Sequence, residues 1–357
     1  PVFDDPAVGP GQRLSLLQGV RVLDLTHFLA GPFGSMVLAD MGASVLKLEQ
    51  LAGDSIRRNP LYFHQGDSAY FMAVNRNKSS IAVDLRTDAG QEILRKLVRE
   101  SDVVLDNLRA PQRASLGLAF ADLERINPRI VSCSITGFGS DGPYSDRPAY
   151  DIIVEALGGI MSVTGPVGGP SVRAGGVPIG DIVAGLYATI GILGGLQSLN
   201  ATGRGTHVDI SMLDCQVSLL SYLAQYYFTG GMVASHQGKA HVSIPTYNTF
   251  TTKDDREIVI AANTEGMWTA LCTVLGRKDL LDDERFLGNA ARLAHRDDLV
   301  SLLQQEMAQH TADELYQALV RAGVPAAPIN LSTSLRRSAG PPSADGGAGP
   351  HRGGGDF

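Results

Sequence analysis

A lone carboxylate in apolar surroundings is the first residue whose placement suggests chemistry. The stretch RAGGVPIGDIVAGLYATIGILGG begins at Arg173, and between Arg173 and Arg204 its one charged side chain is Asp181. Asp181 follows a glycine and heads a helix-like run. One reading is structural: an aspartate at a helix N-cap accepts backbone N–H groups, and replacing it costs about 1 kcal/mol. The other is a nucleophile or proton-transfer group in a dry pocket. The helix dipole offers a carboxylate about 0.3–1 kcal/mol, whereas removing the ion from water costs several. Capping alone therefore does not account for the charge. With an unperturbed pKa near 3.9, such a group is expected to be ionised at neutral pH.

Other candidates are more ordinary. The loop NRNKSS, residues 75–80, brings Arg76 and Lys78 just before a strand, an arrangement that suits either phosphate or a solvated surface. Asn107 and Arg109 end the run DVVLDNL, where asparagine serves turn chemistry or a second ligand loop. GFGSDG, residues 137–142, matches G-x-G-x-x-G, but PYSDRP follows where a dinucleotide fingerprint needs a helix. Glu49, at the end of another strand, lacks a glycine fingerprint upstream and reads as a strand end. Asp151 reads as a second N-cap, with Tyr150 and Glu155 as titratable neighbours, and no G-x-S-x-G elbow is present. The cysteines Cys133, Cys215 and Cys272 form no C-x-x-C pair and the histidines no H-x-x-x-H pair. Neither a metal nor a disulfide framework is expected, and a reducing, cytoplasmic setting follows.

The elements that must position these groups read as α/β. The segments at 19–26, 43–49, 79–85, 102–108, 129–137 and 206–211 look like buried strands. Helical patterns at 33–42, 89–101 and 121–127, with helices from about Tyr150 and Asp181 and one at 212–228, fall between or after them. Short joints of this kind imply an open, doubly wound, Rossmann-like parallel sheet with helices on both faces. A hairpin at 248–263 and helices near 267–275, 291–309 and 312–322 suggest a smaller α+β domain. The expected organisation is an N-terminal arm (1–16), a large domain (17–230), a small domain (231–330) and a Gly/Pro/Ser-rich tail (331–357) too poor in apolar residues to fold. The 357 residues carry 30 basic and 37 acidic side chains, a net charge of −7 that argues against nucleic acid as a partner. The first residues lack a signal-peptide pattern, and the apolar run 182–196 is 15 residues against the ~20 needed to span a bilayer, so no membrane role is expected.

Taken together, GVRVLDLTHFLAGPFGSMVLADMGASVLKLEQ, NRNKSSIAVDL, DVVLDNL, NPRIVSCSITGFGSDGPYSDRPAYD, GDIVAGLYATIGILGGL and GRGTHVDISMLD resemble the class III coenzyme A transferases. This family includes formyl-CoA transferase and carnitine CoA-transferase, and the likeness runs from about Leu17 to Asn330. The resemblance implies that Asp181 is the covalent nucleophile. It implies that acyl-CoA is a substrate with no tightly bound cofactor, and that a small carboxylic acid accepts the CoA. The CoA would lie against His27, Phe28, Leu29 and Ala30, near Arg76 and Lys78, and along Asn107, Leu108 and Tyr150. Gln50 and Ser115 stand where formyl-CoA transferase has arginines, which points away from formyl-CoA and oxalate as the specific pair. The 2-methylacyl-CoA racemases share the fold but place a histidine where Tyr150 stands, and a phenol of pKa near 10 is a poor neutral-pH partner. A non-catalytic acyl-CoA-binding protein is the third reading. The family also implies an interlocked homodimer, whose ring-closing segment is replaced here after Ser334 by sequence of the kind a shifted or truncated reading frame produces.

Overall fold

The computed structural model describes residues 15–59 and 61–330; residues 1–14 of the arm expected at 1–16, and the tail expected at 331–357, lie outside them. The chain divides into two compact units, one ending at His236 and the other starting at Gln237.

In the first unit, β1 (Arg21–Asp24) leads into α1 (Ala30–Asp40), and β2 (Ser44–Glu49) runs beside β1. A small hairpin, β3 (Phe63–His64) and β4 (Asp67–Ser68), and helix α2 (Ala69–Asn75) precede β5 (Lys78–Ala82). Then come α3 (Asp88–Glu100), β6 (Val103–Asp106), the short helices α4 (Ala110–Ser115) and α5 (Phe120–Ile126), and β7 (Val131–Thr136). Helices α6 (Asp151–Leu157), α7 (Ile160–Val163) and α8 (Ile179–Thr202) lead to β8 (Thr206–Ser211), followed by α9 (Met212–Leu219) and α10 (Ser221–Gly230). The six-stranded sheet is parallel throughout, in the order β5-β2-β1-β6-β7-β8.

Its strands read as near-continuous Val/Leu/Ile runs because both faces are covered. One face carries a core of Val22, Leu38, Val103, Val131 and Ile192. The other carries Leu23, Leu46, Leu94, Val104 and Leu123. The strand order reverses between β1 and β6, the point at which doubly wound sheets open a ligand crevice.

Two features differ from the sequence reading. The run expected to be one helix over 212–228 is two, α9 and α10, broken where Ser221 adopts φ +46. The 15-residue apolar run 182–196 lies inside a longer helix, α8, whose 24 residues are long and apolar enough to cross a membrane by length and composition. Its inward residues Val183, Ala184, Ala188 and Ile192 are buried in the sheet-side core. Glycine makes that packing close: a Cβ on Gly34 of α1 would sit 2.8 Å from the Gly185 carbonyl oxygen of α8.

In the second unit, β9 (Tyr247–Thr251) and β10 (Glu257–Ala261) form the expected hairpin, with Asp255 at φ +57 in its turn. Helices α11 (Glu265–Val274), α12 (Gly288–Ala294), α13 (Arg296–Met307) and α14 (Ala312–Arg321) follow, and β11 (Ala326–Pro328) completes a three-stranded antiparallel sheet. The helix expected over 291–309 is divided at His295. Phe250, Ile258, Trp268, Leu271 and Leu299 form this unit's own core.

Candidate active site

Asp181 does not cap its helix. Helix α8 begins at Ile179, its N-cap Pro178 has no side chain able to bond a backbone N–H, and Asp181 lies in the first turn. The cap comes from elsewhere. Asp151, the first residue of α6, accepts the Gly180 N–H at 2.8 Å and the Asp181 N–H at 3.3 Å on Oδ1. Gly180 is required for this approach, since a Cβ there would lie 2.9 Å from Asp151 Oδ1. Asp151 is thus not the cap of its own helix, as its sequence position suggested, but of α8. The Gly180 N–H is thereby engaged. Arg173 holds the other Asp151 oxygen at 2.5 Å and lies 3.7 Å from Glu155 Oε1. Glu155 is fully buried and accepts the Ala174 N–H at 2.9 Å.

Three carboxylates and one guanidinium therefore meet at the head of α8. Burial pushes the Asp181 carboxyl up, Asp151 adds to the push, Arg173 opposes it and Glu155 adds again, leaving it at about 7. The expectation of an ordinary, fully ionised aspartate is corrected accordingly: among the described residues no hydrogen bond reaches its side chain to hold the charge. Burial, reinforced by Asp181, also pushes the nearby Tyr70 phenol up to about 12, so it stays a neutral donor.

Asp181 lines a cavity of about 510 Å³ together with His27, Phe28, Leu29, Ala30, Asn107, Leu108 and Tyr150. A second cavity of about 610 Å³ opens over the ends of β1, β2 and β5, lined by Gln50, Ala52, Asp84, Arg86 and Leu116 among others. His27, Phe28, Leu108 and Gln112 border both. These walls come from the loops after β1 and β6, at the reversal in strand order. Asn107 ties the two loops: its Oδ1 accepts the His27 N–H at 3.0 Å and its Nδ2 donates to the His27 carbonyl at 2.8 Å. Phe28 adopts φ +62 and meets Tyr150 edge-on at 6.1 Å between ring centroids. Burial holds the His27 imidazole below its usual pKa, against the pull of Asp54, so it is neutral at pH 7.

Arg76 and Lys78, expected near the CoA, line neither of these two cavities. Arg76 is on the surface, paired with Asp40 through both guanidinium and carboxylate. Lys78 is buried, and its ammonium is fully engaged by Asp24 Oδ2 (3.1 Å), the Pro32 carbonyl (2.9 Å) and Asn75 Oδ1 (2.8 Å). Burial lowers its pKa to about 8 against the opposing pull of Asp24.

Sequence reasoning singled out Arg109 beside Asn107 but missed Arg113 and Arg147. Arg109, Arg113 and Arg147 line the cavity of Asp181, and none makes an ion pair among the described residues. Arg113 Nη1 is buried without a hydrogen-bond partner, and Arg147 lies over the Tyr144 ring at 3.7 Å. A clue was available in that Arg109 and Arg113 both belong to the loop and helix that follow β6. Among the described residues no cluster of His, Cys, Asp and Glu is arranged to hold a metal. What the arrangement offers is a carboxyl near neutrality, walls of mixed polarity and cations for an anionic ligand.

Residues 17–339 match the sequence profile of CoA-transferase family III. The chain belongs to that family. It is 38% identical over 315 residues to the human succinyl-CoA:glutarate CoA-transferase, covering 88% of this chain and 72% of the relative. It is 35% identical over 322 residues to the acetyl-CoA:oxalate CoA-transferase of Acetobacter aceti, covering 90% of this chain and 82% of that one. The crystal structure of a CAIB/BAIF family protein from Brucella suis superposes with a TM-score of 0.80 at 38% identity, over 91% of this chain and 86% of that chain. The fold expected from sequence, a doubly wound parallel sheet of this family, is the one observed, and the chain is a transferase acting on CoA thioesters.

Proposed function

We propose that this CoA-transferase moves CoA from an acyl-CoA donor to a dicarboxylic acid through a thioester on Asp181. The observation that carries the reading is Asp181 itself: an acidic group at about 7, free of hydrogen-bond partners among the described residues, on the wall of a cavity that shares four lining residues with a second one. The nucleotide of CoA fits the cavity over β2 and β5, and the pantetheine passes His27, Phe28 and Leu108 to present its thioester to Asp181. Leu29, Ala30, Asn107 and Tyr150 complete the wall of that passage. The arginines of the inner cavity suit the remaining anionic groups, and the names of the relatives, with glutarate and oxalate as acids, support a dicarboxylate as acceptor.

In the chemistry that follows, an ionised Asp181 oxygen attacks the donor's thioester carbon, the C–S bond breaks and the CoA thiolate leaves. The thiolate then attacks the Asp181 acyl carbon of the mixed anhydride, releasing the donor acid and leaving an aspartyl-CoA thioester. The acceptor carboxylate attacks that carbon and expels the thiolate, which finally takes the acceptor's acyl group and frees Asp181. One thioester replaces another and no net proton is consumed. A raised pKa makes the carboxylate a stronger nucleophile, and a dry cavity spares the anhydrides from water. Asp151 positions Asp181 by fixing the first turn of α8. The same reading carries a homodimer and a cytoplasmic setting, the latter supported by three buried, unpaired cysteines.

The test is product analysis by mass spectrometry after incubation with succinyl-CoA and either glutarate, mesaconate or a monocarboxylate such as butyrate. Glutaryl- or mesaconyl-CoA is the expected new thioester. Formation of free CoA alone contradicts the transferase reading, and preference for butyrate contradicts the dicarboxylate assignment.

A further inference from the structure

The loop after β1, which borders both cavities, is held by an unusual set of bonds. All four backbone polar groups of Thr26 and His27 are taken by side chains from β1, β2 and the loop after β6. Asp24 of β1 accepts the Thr26 N–H at 2.8 Å. The Lys47 ammonium of β2 donates to the Thr26 carbonyl at 2.7 Å. Asn107, just past β6, takes both the N–H and the carbonyl of His27. Phe28 follows directly in the left-handed region, a conformation that a non-glycine residue keeps only where its surroundings over-determine it.

Lys47 is the odd member. Its side chain is 1% exposed and pairs with Asp54 at 3.2 Å, itself 1% exposed. Buried ion pairs of this kind are often replaced by apolar residues without loss of stability, so stability alone gives little reason for one between β2 and the turn that follows it. We propose that Lys47 and Asn107 are positioning residues for the CoA thioester. Together they clamp residues 26–27 so that His27 and Phe28 keep the passage open at one register relative to Asp181. This inference rests on the assignment of the two cavities to CoA made above.

Three variants test it: Asp54→Asn, which leaves the Lys47 bond to Thr26; the pair Lys47→Met with Asp54→Asn, which removes that bond without stranding a charge; and Asn107→Ala. CoA affinity is read by calorimetry, independently of turnover, and folding by circular dichroism. Asp54→Asn is expected to bind CoA within about threefold of the parent, whereas the double variant and Asn107→Ala each weaken CoA by about tenfold or more. The KM for succinyl-CoA rises in parallel, with kcat and the acceptor's KM little changed. Parent-like CoA affinity in the folded double variant or in Asn107→Ala overturns the proposal, as does a loss confined to kcat. A parent protein that binds CoA but is not modified at Asp181 leaves this inference standing while removing the nucleophile; one that binds no CoA overturns both.

Discussion

Two clusters of buried charge in the first unit are composed in opposite ways. Beneath the loop after β1, Asp24 is matched by Lys78, Asp54 by Lys47 and Glu49 by Arg57. At the head of α8, Asp151, Glu155 and Asp181 share Arg173 alone among the described residues. Burial pushes carboxyls up in both places. In the first, Lys78 and Lys47, with the hydroxyls of Ser35 and Thr26, overcome it and hold Asp24 well below the usual carboxylate range. In the second, the excess of acid leaves Asp181 at about 7. Neighbours rather than depth set the outcome. The matched cluster fixes the backbone that shapes the crevice, and the mismatched one keeps a carboxyl poised between its protonated and its ionised form.

The largest effect that would sharpen this contrast is chemical. Asp181→Asn should lower the rate of acyl transfer by on the order of 10⁴-fold or more, as removal of a nucleophile does elsewhere. Formation of the new acyl-CoA at a rate near that of the parent would erase the distinction between the clusters. The matched cluster is probed by Lys78→Met, which leaves Asp24 buried without its nearest cation. A loss of about 3–5 kcal/mol in urea unfolding is expected, and a loss below about 1 kcal/mol, the scale of an exposed pair, would mean that the pairing is not what holds this loop.

The mismatched cluster is probed by its pH dependence. Attack requires the ionised form, so kcat/KM should rise with pH and level off above about 7. Arg173→Met removes the cation that opposes the shift, and the rising limb should move to higher pH by roughly one unit. An unmoved limb would place the controlling group elsewhere. The smallest effect is on stability. Because Asp181 binds its proton more tightly folded than unfolded, unfolding releases a proton between about pH 4 and 7, and stability falls as pH rises through that window. Asp181→Asn escapes this cost, so its melting temperature should exceed that of the parent by more at pH 8 than at pH 5. A difference independent of pH would contradict the raised pKa.

Much of the scaffold was readable in advance. The Val/Leu runs of β1, β2 and β6, joined through short helices, report a parallel sheet because burial on both faces selects such runs, and the family motifs are carried by contiguous segments. Asp181 stood out because no other charge accompanies it over thirty residues of chain. The helix partners were not legible. Asp151 looked like a local cap because cap chemistry is normally local, yet its carboxylate reaches α8 across 29 positions. Lys78 looked like a phosphate ligand because an ammonium near a strand is ordinarily solvated; only the fold brings Asp24, Pro32 and Asn75 around it. The raised pKa of Asp181 depends on carboxylates 26 and 30 residues away in sequence, and composition holds no trace of such pairings.

Everything proposed for the head of α8 depends on the Asp181 carboxyl becoming acylated and then carrying CoA. The direct measurement is to incubate the protein with succinyl-CoA, trap the intermediate with hydroxylamine and map the modified peptide by tandem mass spectrometry. The account predicts a hydroxamate on Asp181 that disappears when the acceptor acid is added before the trap. A hydroxamate on any other residue, or none at all while acyl transfer proceeds, would contradict it.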